Sequence, residues 1–468
     1  MFNPEIWQQM LHLKKMDKIK KTFIKMKKAP FIIVLLSAFI LFACSREDLD
    51  PVLPPDSQET TDDNGKEEDP GDDAPGEENP GDGDSQTPGP ETPDKPGYDP
   101  YGDNHGELPV IRIDTPEGVA IDSKEKWVEN AVFSIEYPGA PAEDLGLAKI
   151  KLRGNSTLYY PKKSFNFKLD HKASLVNMPQ DKSWCLLAQW MDRTLLRNDV
   201  AFEIARRTHS LGWAPRGEFV ELILNGKFLG TYYLCEKIKI AKQRVITAEN
   251  GYILELDTYY DEEYKFKSEK FNLPVMLKEP DPEDITPEYF EDVKEFFNKA
   301  ELYLTSSDCR IYGEYIDMDS FIDWIFVHEL TSNYEPSHPK STYMFLAPDG
   351  KLHAGPVWDF DWGTFKPNNK GLVMEDKWWF KCFFADPDFV TRLKQKWNEE
   401  LPVFLEISDY IDRRVVNLRR SAEDNSRQWP ISGKVNGDEQ LSYHEAVQRM
   451  KHSYEQRLCV LDQTISEL

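Results

Sequence analysis

Two acidic residues, Asp359 and Asp361, stand two positions apart in the otherwise apolar run 355–363. If residues 357–361 are extended, both side chains point to the same face. Two carboxylates on one face of a buried strand repel each other unless a cation or hydrogen-bond donors compensate their charge. Carboxylate oxygens suit Mg²⁺ or Mn²⁺ as ligands. The pair therefore predicts a metal site, and a tight turn that leaves one aspartate solvated is the alternative.

A third carboxylate, Glu335, precedes a predicted strand at residues 342–346. A turn at residues 348–350 connects this strand to the one that leads into the two aspartates. Because an antiparallel hairpin with a short turn brings the outer ends of its strands together, we expect Glu335 to approach Asp359 and Asp361. Three converging carboxylates suit a divalent cation, or an acid that works beside a metal.

A polar loop with one glycine separates two predicted strands, at residues 148–152 and 162–169. Its residues are Arg153, Gly154, Asn155, Ser156 and Thr157. Backbone N–H groups and hydroxyls in such a loop can bind phosphate oxygens, and a strand lysine can reach the same anion. A hairpin with solvated lysines is the alternative, because one glycine does not make a glycine-rich loop.

The elements that must position these residues fall into two parts. Alternation of apolar and polar residues, together with turn signals, predicts strands at residues 110–113, 132–137, 148–152, 162–169, 219–224, 228–236 and 251–257. Asn225 and Gly226 predict a type I′ turn. Helical spacing predicts helices at 192–208, with Asp192 as N-cap, at 287–304, at 319–334 and within 385–468. The pattern predicts an α+β fold, β-rich in its N-terminal part and helical in its C-terminal part.

Residues 1–44 have the pattern of a lipoprotein signal peptide. Eight lysines precede the short apolar segment 29–43, which ends in small residues before Cys44. The apolar segment is too short for a comfortable membrane span. Small residues before a cysteine resemble a bacterial lipobox, which implies cleavage before Cys44 and lipid on that residue. An ordinary signal peptide with a chance cysteine is the alternative.

Residues 45–107 predict an acidic, disordered linker rich in Pro and Gly. This tract carries 21 acidic and 3 basic residues, a net charge of −18 out of −25 for the whole chain. Such a tract cannot bury enough apolar surface to fold, and its charges keep it extended. Acidic residues directly after Cys44 resemble a surface-export signal of some lipoproteins. The remaining domain, 108–468, is also net negative, which argues against nucleic acid as a partner.

The five cysteines that remain after Cys44 are an odd number and form no CxxC pair, which argues against a disulfide framework and against structural zinc.

Taken together, the motifs resemble the spore-coat CotH kinase family. The matching stretches follow the family order over roughly residues 110–365 and are 152–157, 162–165, 193–198, 224–232, 236–237 and 355–361. The resemblance implies an atypical protein-kinase-like fold. It also implies phosphorylation of serine on partner proteins, with ATP and Mg²⁺ (or Mn²⁺) as cofactors.

The resemblance also implies roles for single residues. Residues near the phosphates would be Arg153, Asn155, Ser156 and Thr157. The lysine that pairs with the phosphates would be Lys163 or Lys168. The acid that orients this lysine would be Glu203 or Glu236.

On the metal side, Asp359 would hold the metal with Asp361 beside it, in the role of the metal-binding aspartate of protein kinases. Glu335 would be the catalytic base. The family commonly has Asn-x-Asp at this place, whereas this chain has Glu335 as the acid. Lys340 and Ser341 stand where the family often has an asparagine as second metal ligand.

Two functional hypotheses follow. The first is an atypical kinase, anchored to the bacterial outer membrane through Cys44, that acts on secreted or surface proteins; a periplasmic position is the alternative to the cell surface. The second is a catalytically degenerate domain that serves as a surface adhesin or glycan-binding module. Its candidate sugar-stacking residues are Trp358, Trp362, Trp378 and Trp379, although tryptophan is more often part of a core.

Overall fold

The computed structural model of the protein describes residues 107–306 and 309–468, which all belong to one unit. The predicted signal peptide, the lipidation of Cys44 and all of the predicted linker except Glu107 lie outside these residues. Within them, no helix combines the length and the apolar character that crossing a bilayer requires.

The described residues form twelve strands and seven α-helices. The strands are β1 (Val110–Asp114), β2 (Val128–Glu136), β3 (Glu143–Arg153), β4 (Ser164–Ala173), β5 (Asp181–Leu187), β6 (Gly217–Leu224), β7 (Lys227–Glu236), β8 (Ile253–Leu256), β9 (Lys265–Lys267), β10 (Pro274–Glu279), β11 (Thr342–Leu346) and β12 (Leu352–Ala354). The helices are α1 (Arg197–Arg207), α2 (Pro287–Leu304), α3 (Met318–Leu330), α4 (Phe380–Ala385), α5 (Pro387–Leu405), α6 (Ile407–Gln428) and α7 (Tyr443–Glu467).

The first seven strands close into a barrel in the order β1-β2-β3-β4-β5-β7-β6. Neighbouring strands are antiparallel, except that β1 closes the barrel by pairing in parallel with β6. Alternation explains the packing: in β1, Ile111 and Ile113 are buried and Arg112 is exposed. Phe133 and Phe167 stack inside, with ring centroids 4.8 Å apart. The barrel thus encloses an apolar core of its own.

The second sheet has the strand order β12-β11-β8-β10-β9 and is antiparallel throughout. A second apolar core lies between this sheet, the helices and the outer side of β5, β6 and β7. The α+β prediction is confirmed, including the β-rich N-terminal part and the helical C-terminal part.

A buried ion-pair network joins the helical part to the barrel. Arg414 of α6 lies 2.8 Å from the Asp199 carboxylate of α1 and 2.8 Å from the Glu218 carboxylate of β6. All three side chains are buried. Since removal of one partner would leave the others charged without compensation, this network fixes the barrel against α1 and α6.

Most predicted elements appear, but several boundaries differ. The helix predicted from residue 192 begins at Arg197. Asp192 lies outside it, and its carboxylate accepts hydrogen bonds from the backbone N–H groups of Thr194 and Arg197. The predicted turn is confirmed, because Asn225 and Gly226 have φ values of 50° and 71°.

The helix predicted over residues 319–334 ends earlier, at Leu330. Ser332 has a φ of 53°, in the left-handed region that ends helices. Residues 333–335 therefore form the start of a loop, and this loop carries Glu335.

Candidate active site

The segment that carries the two aspartates is not a strand. β12 ends at Ala354, and Asp359 has a φ of 67°. The expectation that residues 357–361 are extended is therefore wrong, although the two carboxylates do face each other. Aspartate tolerates the left-handed region better than most residues because its short side chain bonds locally. A non-glycine residue held in this region is a feature that recurs at functional sites.

Side-chain amides from two distant segments hold this loop in place. Asn198 of α1 accepts a hydrogen bond from the backbone N–H of Phe360, at 2.7 Å. Asn436 accepts one from the N–H of Gly363, at 2.8 Å, and donates one to the Asp361 carbonyl, at 3.0 Å. The loop conformation is thus set by tertiary contacts, which explains why its own sequence did not predict it.

Asp359 and Asp361 contact each other and both act electrostatically on Glu335, as the hairpin argument predicts, but the oxygens of the three carboxylates do not all lie within 4.8 Å of one another. Burial raises the pKa of Glu335 to about 9, with a further contribution from Asp359, and Lys340 opposes this shift. Burial also raises the pKa of Asp361 well above its usual range, and Asp359 adds to that effect. Both shifts arise mainly from burial and to a lesser extent from repulsion between the carboxylates, and a bound cation would oppose both effects.

The donor set fits a hard divalent cation. Beside the facing carboxylates of Asp359 and Asp361, the Ser341 hydroxyl lies 3.5 Å from an Asp359 oxygen. Glu335 is not close enough to this pair to complete a three-carboxylate site. Asp257 accepts a hydrogen bond from the backbone N–H of Ser341, at 3.1 Å, so it holds this segment near the cluster. All of these donors are oxygens, which Mg²⁺ and Mn²⁺ prefer, and a cation among them would reverse the unfavourable pKa shifts.

A cleft of about 490 Å³ opens between the barrel mouth and the second sheet, with Asp359 in its wall. The barrel contributes the Arg153–Thr157 loop, and the second sheet contributes Glu255 and Tyr343. Five basic side chains line the cleft, namely Lys124, Lys151, Arg153, Lys237 and Lys278. Eight acidic side chains line the cleft as well, and Lys124 and Lys278 are paired with some of them. A polyanion in this cleft would therefore need the positive charge of a bound metal in addition to Arg153 and the lysines.

Arg153 links the loop to the aspartates. Its guanidinium lies 5.0 Å from the Trp358 ring centroid, within range of a cation–π contact. Burial alone would lower the pKa of Arg153, but nearby Cys185, Cys235 and Asp359 raise it above its usual value. Arg153 therefore stays charged next to Asp359.

Gly154 shapes the loop by its conformation and its lack of a side chain. It has a φ of 97°, and a Cβ at this position would clash with the Thr157 hydroxyl oxygen. The Asn155 side-chain oxygen accepts a hydrogen bond from Lys124, at 2.8 Å. Ser156, Asn155 and Thr157 all line the cleft, together with Arg153, so the structure brings the predicted phosphate-binding residues to one place.

Neither predicted lysine lines the cleft. Lys163 donates hydrogen bonds to the carbonyls of Leu158 and Tyr160, at 2.5 and 2.7 Å, and Lys168 is exposed on β4. Instead the strand lysine that lines the cleft is Lys151, two residues before Arg153 on β3. Burial lowers the pKa of Lys151, partly offset by Glu125. Lys151 and Arg153 are two residues apart, so their side chains lie on the same face of β3. This spacing could have identified Lys151 from the sequence.

The implied lysine–glutamate pair also differs. Glu203 is paired with Arg206 and Arg207, and Glu236 is paired with Arg216 and Arg244. Both acids are thus neutralised by arginines and do not orient Lys163 or Lys168.

The cleft contains another lysine–glutamate pair, which the sequence reasoning missed. Lys278 lies 3.1 Å from the Glu255 carboxylate, and the Tyr343 hydroxyl donates to Glu255 at 2.8 Å. The strand pairing of β8 with β10 and β11 brings these residues together from distant positions.

The tryptophans proposed as sugar platforms are mostly in the core. Trp358, Trp378 and Trp379 are buried, whereas Trp362 is 44% exposed. Three of the four rings are therefore not accessible to a sugar, and the observation does not favour a glycan-binding module.

The comparisons with known proteins bear on the family. A family model described as CotH kinase protein matches residues 150–461, which is more than half of the chain. The chain belongs to the CotH kinase family. The match begins within β3 and takes in the remaining barrel strands, the second sheet, the helices and both aspartates. Membership makes this a kinase-like protein.

The other comparisons add little to this assignment. No curated protein matches the chain. Among solved structures, a chain titled as the HipA, HipB and operator DNA complex of a toxin–antitoxin system of Shewanella oneidensis MR-1 is 12% identical. The alignment covers 75% of this chain and 66% of that chain, with a TM-score of 0.25. A likeness at this level carries no argument about fold or function.

Proposed function

We propose that this CotH family protein has an atypical protein-kinase-like fold and transfers the γ-phosphoryl group of ATP to serine residues of secreted or surface proteins. The observation that carries the proposal is the position of Asp359. This residue faces the Asp361 carboxylate and also belongs to the wall of the cleft that holds Arg153 and the polar loop. A metal–nucleotide complex needs both environments side by side.

In this proposal Asp359 and Asp361 hold Mg²⁺ or Mn²⁺, with the Ser341 hydroxyl close to the same position. The Arg153–Thr157 loop binds phosphate oxygens through its charge, its hydroxyls and its backbone N–H groups. Lys151 supports the same anion from β3. When bound, the cation would neutralise negative charge on the phosphate oxygens. The residues of the chain then contribute mainly by positioning and by charge compensation.

Glu335 is the proposed acceptor of the serine proton. Burial raises the pKa of Glu335 to about 9. Without a bound metal, Glu335 is therefore protonated at neutral pH and donates rather than accepts a hydrogen bond. A cation bound by the two aspartates would lower this pKa, since their charge is one of its causes. Glu335 would therefore act as a base only while the metal is bound, which couples proton transfer to metal binding.

The location of the activity rests on the N-terminal residues. The basic segment before an apolar stretch, the cysteine at position 44 and the acidic tract after it support a lipid-anchored protein of the bacterial outer membrane. Surface exposure fits the acidic tract best, and the partners would then be proteins on the same cell surface.

The test is phosphoryl transfer by the full-length chain. The protein is incubated with γ-labelled ATP and Mg²⁺ or Mn²⁺, and labelled serine is identified by mass spectrometry. The decisive variant is Asp359→Asn, because asparagine keeps the left-handed backbone that alanine would strain. We expect incorporation to fall about 100-fold or more, as is usual when a group that stabilises transition-state charge is removed.

Asp376→Asn is the matched control, since Asp376 is an exposed aspartate outside the cleft. It should label like the wild type. Absence of label in the wild type with either metal, on itself and on secreted proteins of the source organism, would contradict the proposal.

A nucleotide-binding protein without transfer activity is the second candidate. The observation that favours it is Lys340, whose charge acts on Glu335 and whose ammonium lies 3.9 Å from the Tyr259 ring centroid. A positive charge at this place can partly substitute for the metal. Thermal stabilisation by ATP and Mg²⁺ without any label transfer would support this second candidate against the first.

A further inference from the structure

Two cysteines lie directly opposite each other on neighbouring barrel strands, and one of them, Cys185, lines the cleft. Cys185 of β5 pairs with Cys235 of β7 in the antiparallel register, and both are buried free thiols. Residues paired in this way have Cα atoms about 4.5 or 5.5 Å apart. A disulfide spans Cα separations of about 4.4–6.8 Å, so the backbone already holds the two thiols within bonding reach.

The two thiols have different surroundings. Cys185 lines the cleft, and its sulfur lies 3.2 Å from the Asn166 side-chain oxygen. A hydrogen bond from Cys235 lowers the pKa of Cys185 to about 7, with Arg153 acting in the same direction. Burial raises the pKa of Cys235 well above its usual value. Cys185 is therefore the attacking thiol and Cys235 the second, resolving thiol.

We propose that Cys185 and Cys235 form a reversible disulfide whose redox state is set through the cleft. In the first step the Cys185 thiolate attacks a small-molecule disulfide such as glutathione disulfide, which forms a mixed disulfide and releases one thiolate. Cys235 then loses its proton and attacks the Cys185 sulfur, which releases the second thiol. Overall, two protein thiols are oxidised to one disulfide, and one small disulfide is reduced to two thiols.

The bond should be labile rather than structural. Side chains paired across antiparallel strands have Cβ atoms about 4.5–5.5 Å apart, whereas a relaxed disulfide needs about 3.5–4.5 Å. Closing the bond would therefore draw the two strands slightly together, and disulfides closed under such strain are the easily reduced, regulatory ones. Oxidising compartments outside the cytoplasm supply partners for the exchange.

The redox state also changes the charge beside Arg153. In the reduced protein the ionised fraction of Cys185 competes with an incoming anion for this guanidinium, and the disulfide removes that negative charge. Oxidation should therefore raise the affinity of the cleft for ATP and Mg²⁺. This consequence rests on the proposed function, whereas formation of the disulfide does not.

The first experiment needs no variant. The full-length protein is equilibrated with glutathione at a series of oxidised-to-reduced ratios, quenched with acid, alkylated and analysed by mass spectrometry. We expect the peptides of Cys185 and Cys235 to lose alkylation together and to appear as one linked pair that dithiothreitol releases. Full alkylation of both cysteines at every ratio would overturn the proposal.

Three variants test the order of the steps. Cys235→Ser should accumulate the mixed disulfide of Cys185 with glutathione, and Cys185→Ser should leave Cys235 unmodified. Cys382→Ser, a half-buried cysteine outside the cleft, is the control and should form the linked pair at the wild-type ratio. Glutathione on Cys235 in the Cys185→Ser variant would overturn the assignment of Cys185 as attacking thiol.

The link to the cleft is measured separately, as the ATP and Mg²⁺ affinity of the reduced and the oxidised protein by thermal shift. Tighter binding by the oxidised form supports the link. A disulfide that forms without any change in affinity would overturn the link but leave the modification site established. Absence of nucleotide binding in both forms would count against the proposed function alone.

Discussion

Replacement of Asp361 by asparagine is the sharpest test of the carboxylate cluster. Burial and Asp359 raise the pKa of Asp361, so the folded protein holds this proton more tightly than the unfolded chain. At pH values below the pKa that this group has in the unfolded chain, its whole contribution to stability is present. The contribution is lost as the pH rises through the higher pKa of the folded protein. Asp361→Asn carries no such charge and should be more stable than the wild type at pH 8 without metal.

The expected size follows from the burial of Asp361. Burying an imperfectly compensated polar group costs about 1–3 kcal/mol in proteins, and half-burial places Asp361 at the lower end. We expect Asp361→Asn to gain on the order of 1 kcal/mol in free energy of unfolding at pH 8 in chelator, and almost nothing at pH 4. Urea unfolding of the full-length protein at both pH values measures the difference.

Mg²⁺ should reverse the order of the two proteins. At about 100 times its Kd, a ligand that binds only the folded state stabilises it by about 2.7 kcal/mol. The wild type should show most of this gain, and Asp361→Asn little of it. Asp376→Asn, the exposed control, should match the wild type throughout. Equal stabilisation of wild type and Asp361→Asn by Mg²⁺, or a destabilised variant in chelator, would refute the reasoning.

Three further predictions concern the loop, a buried histidine and the ion-pair network. Gly154→Ala should weaken ATP and Mg²⁺ binding about tenfold or more in a thermal-shift titration, because its Cβ would clash with Thr157. Both ring nitrogens of the buried His328 lack hydrogen-bond partners among the described residues, and burial lowers its pKa to about 3. The wild type should therefore lose about 1 kcal/mol relative to His328→Leu between pH 6.5 and 5.5 in urea unfolding, as the unfolded chain takes up the proton. Arg414→Met should cost about 3–5 kcal/mol in the same assay, because it leaves two buried carboxylates unpaired.

Two of these predictions have a matched control variant, and each has an outcome that would contradict it. Gly118→Ala is the control for Gly154→Ala, since Gly118 also has a positive φ but a Cβ at that position would have no neighbour within 4 Å. If both variants weakened ATP and Mg²⁺ binding equally, backbone strain and not the clash with Thr157 would explain the loss of affinity. For the histidine, parallel pH profiles of wild type and variant would contradict the prediction. Arg419→Met changes an exposed arginine of the same helix and should stay within about 0.5 kcal/mol of the wild type. A similar small loss for Arg414→Met would show that the buried network contributes little.

The sequence predicts the local elements of this fold better than it predicts how the barrel closes. Asn225 and Gly226 identify their turn because their backbone preference is local. Helix α2 is predicted with its observed boundaries because apolar residues recur at helical spacing, and in the structure the Thr286 side chain caps it. The pairing of β1 with β6 joins residues more than 100 positions apart, and no periodicity carries that information.

The same limit applies to the site. Glu335 and the two aspartates were predicted together because one short hairpin joins them. The lysine and the acid that line the cleft depend on strand register and on pairing between β8 and β10, so Lys151, Lys278 and Glu255 could not be ranked above Lys163 or Glu236. The left-handed turn at Asp359 is fixed by Asn198, a residue far away in the chain.

The closing position of β1 has a mechanical consequence. β1 is hydrogen-bonded along its length on both sides, to β2 and to β6, and the chain enters it directly at residue 110. Suppose that a partner holds the domain and a force pulls on its N-terminal end. This force acts along β1, parallel to its two neighbours β2 and β6. Such a load is shared by all the hydrogen bonds of β1 at once instead of opening them one after another. The barrel would thus resist traction at the point where a tether would attach.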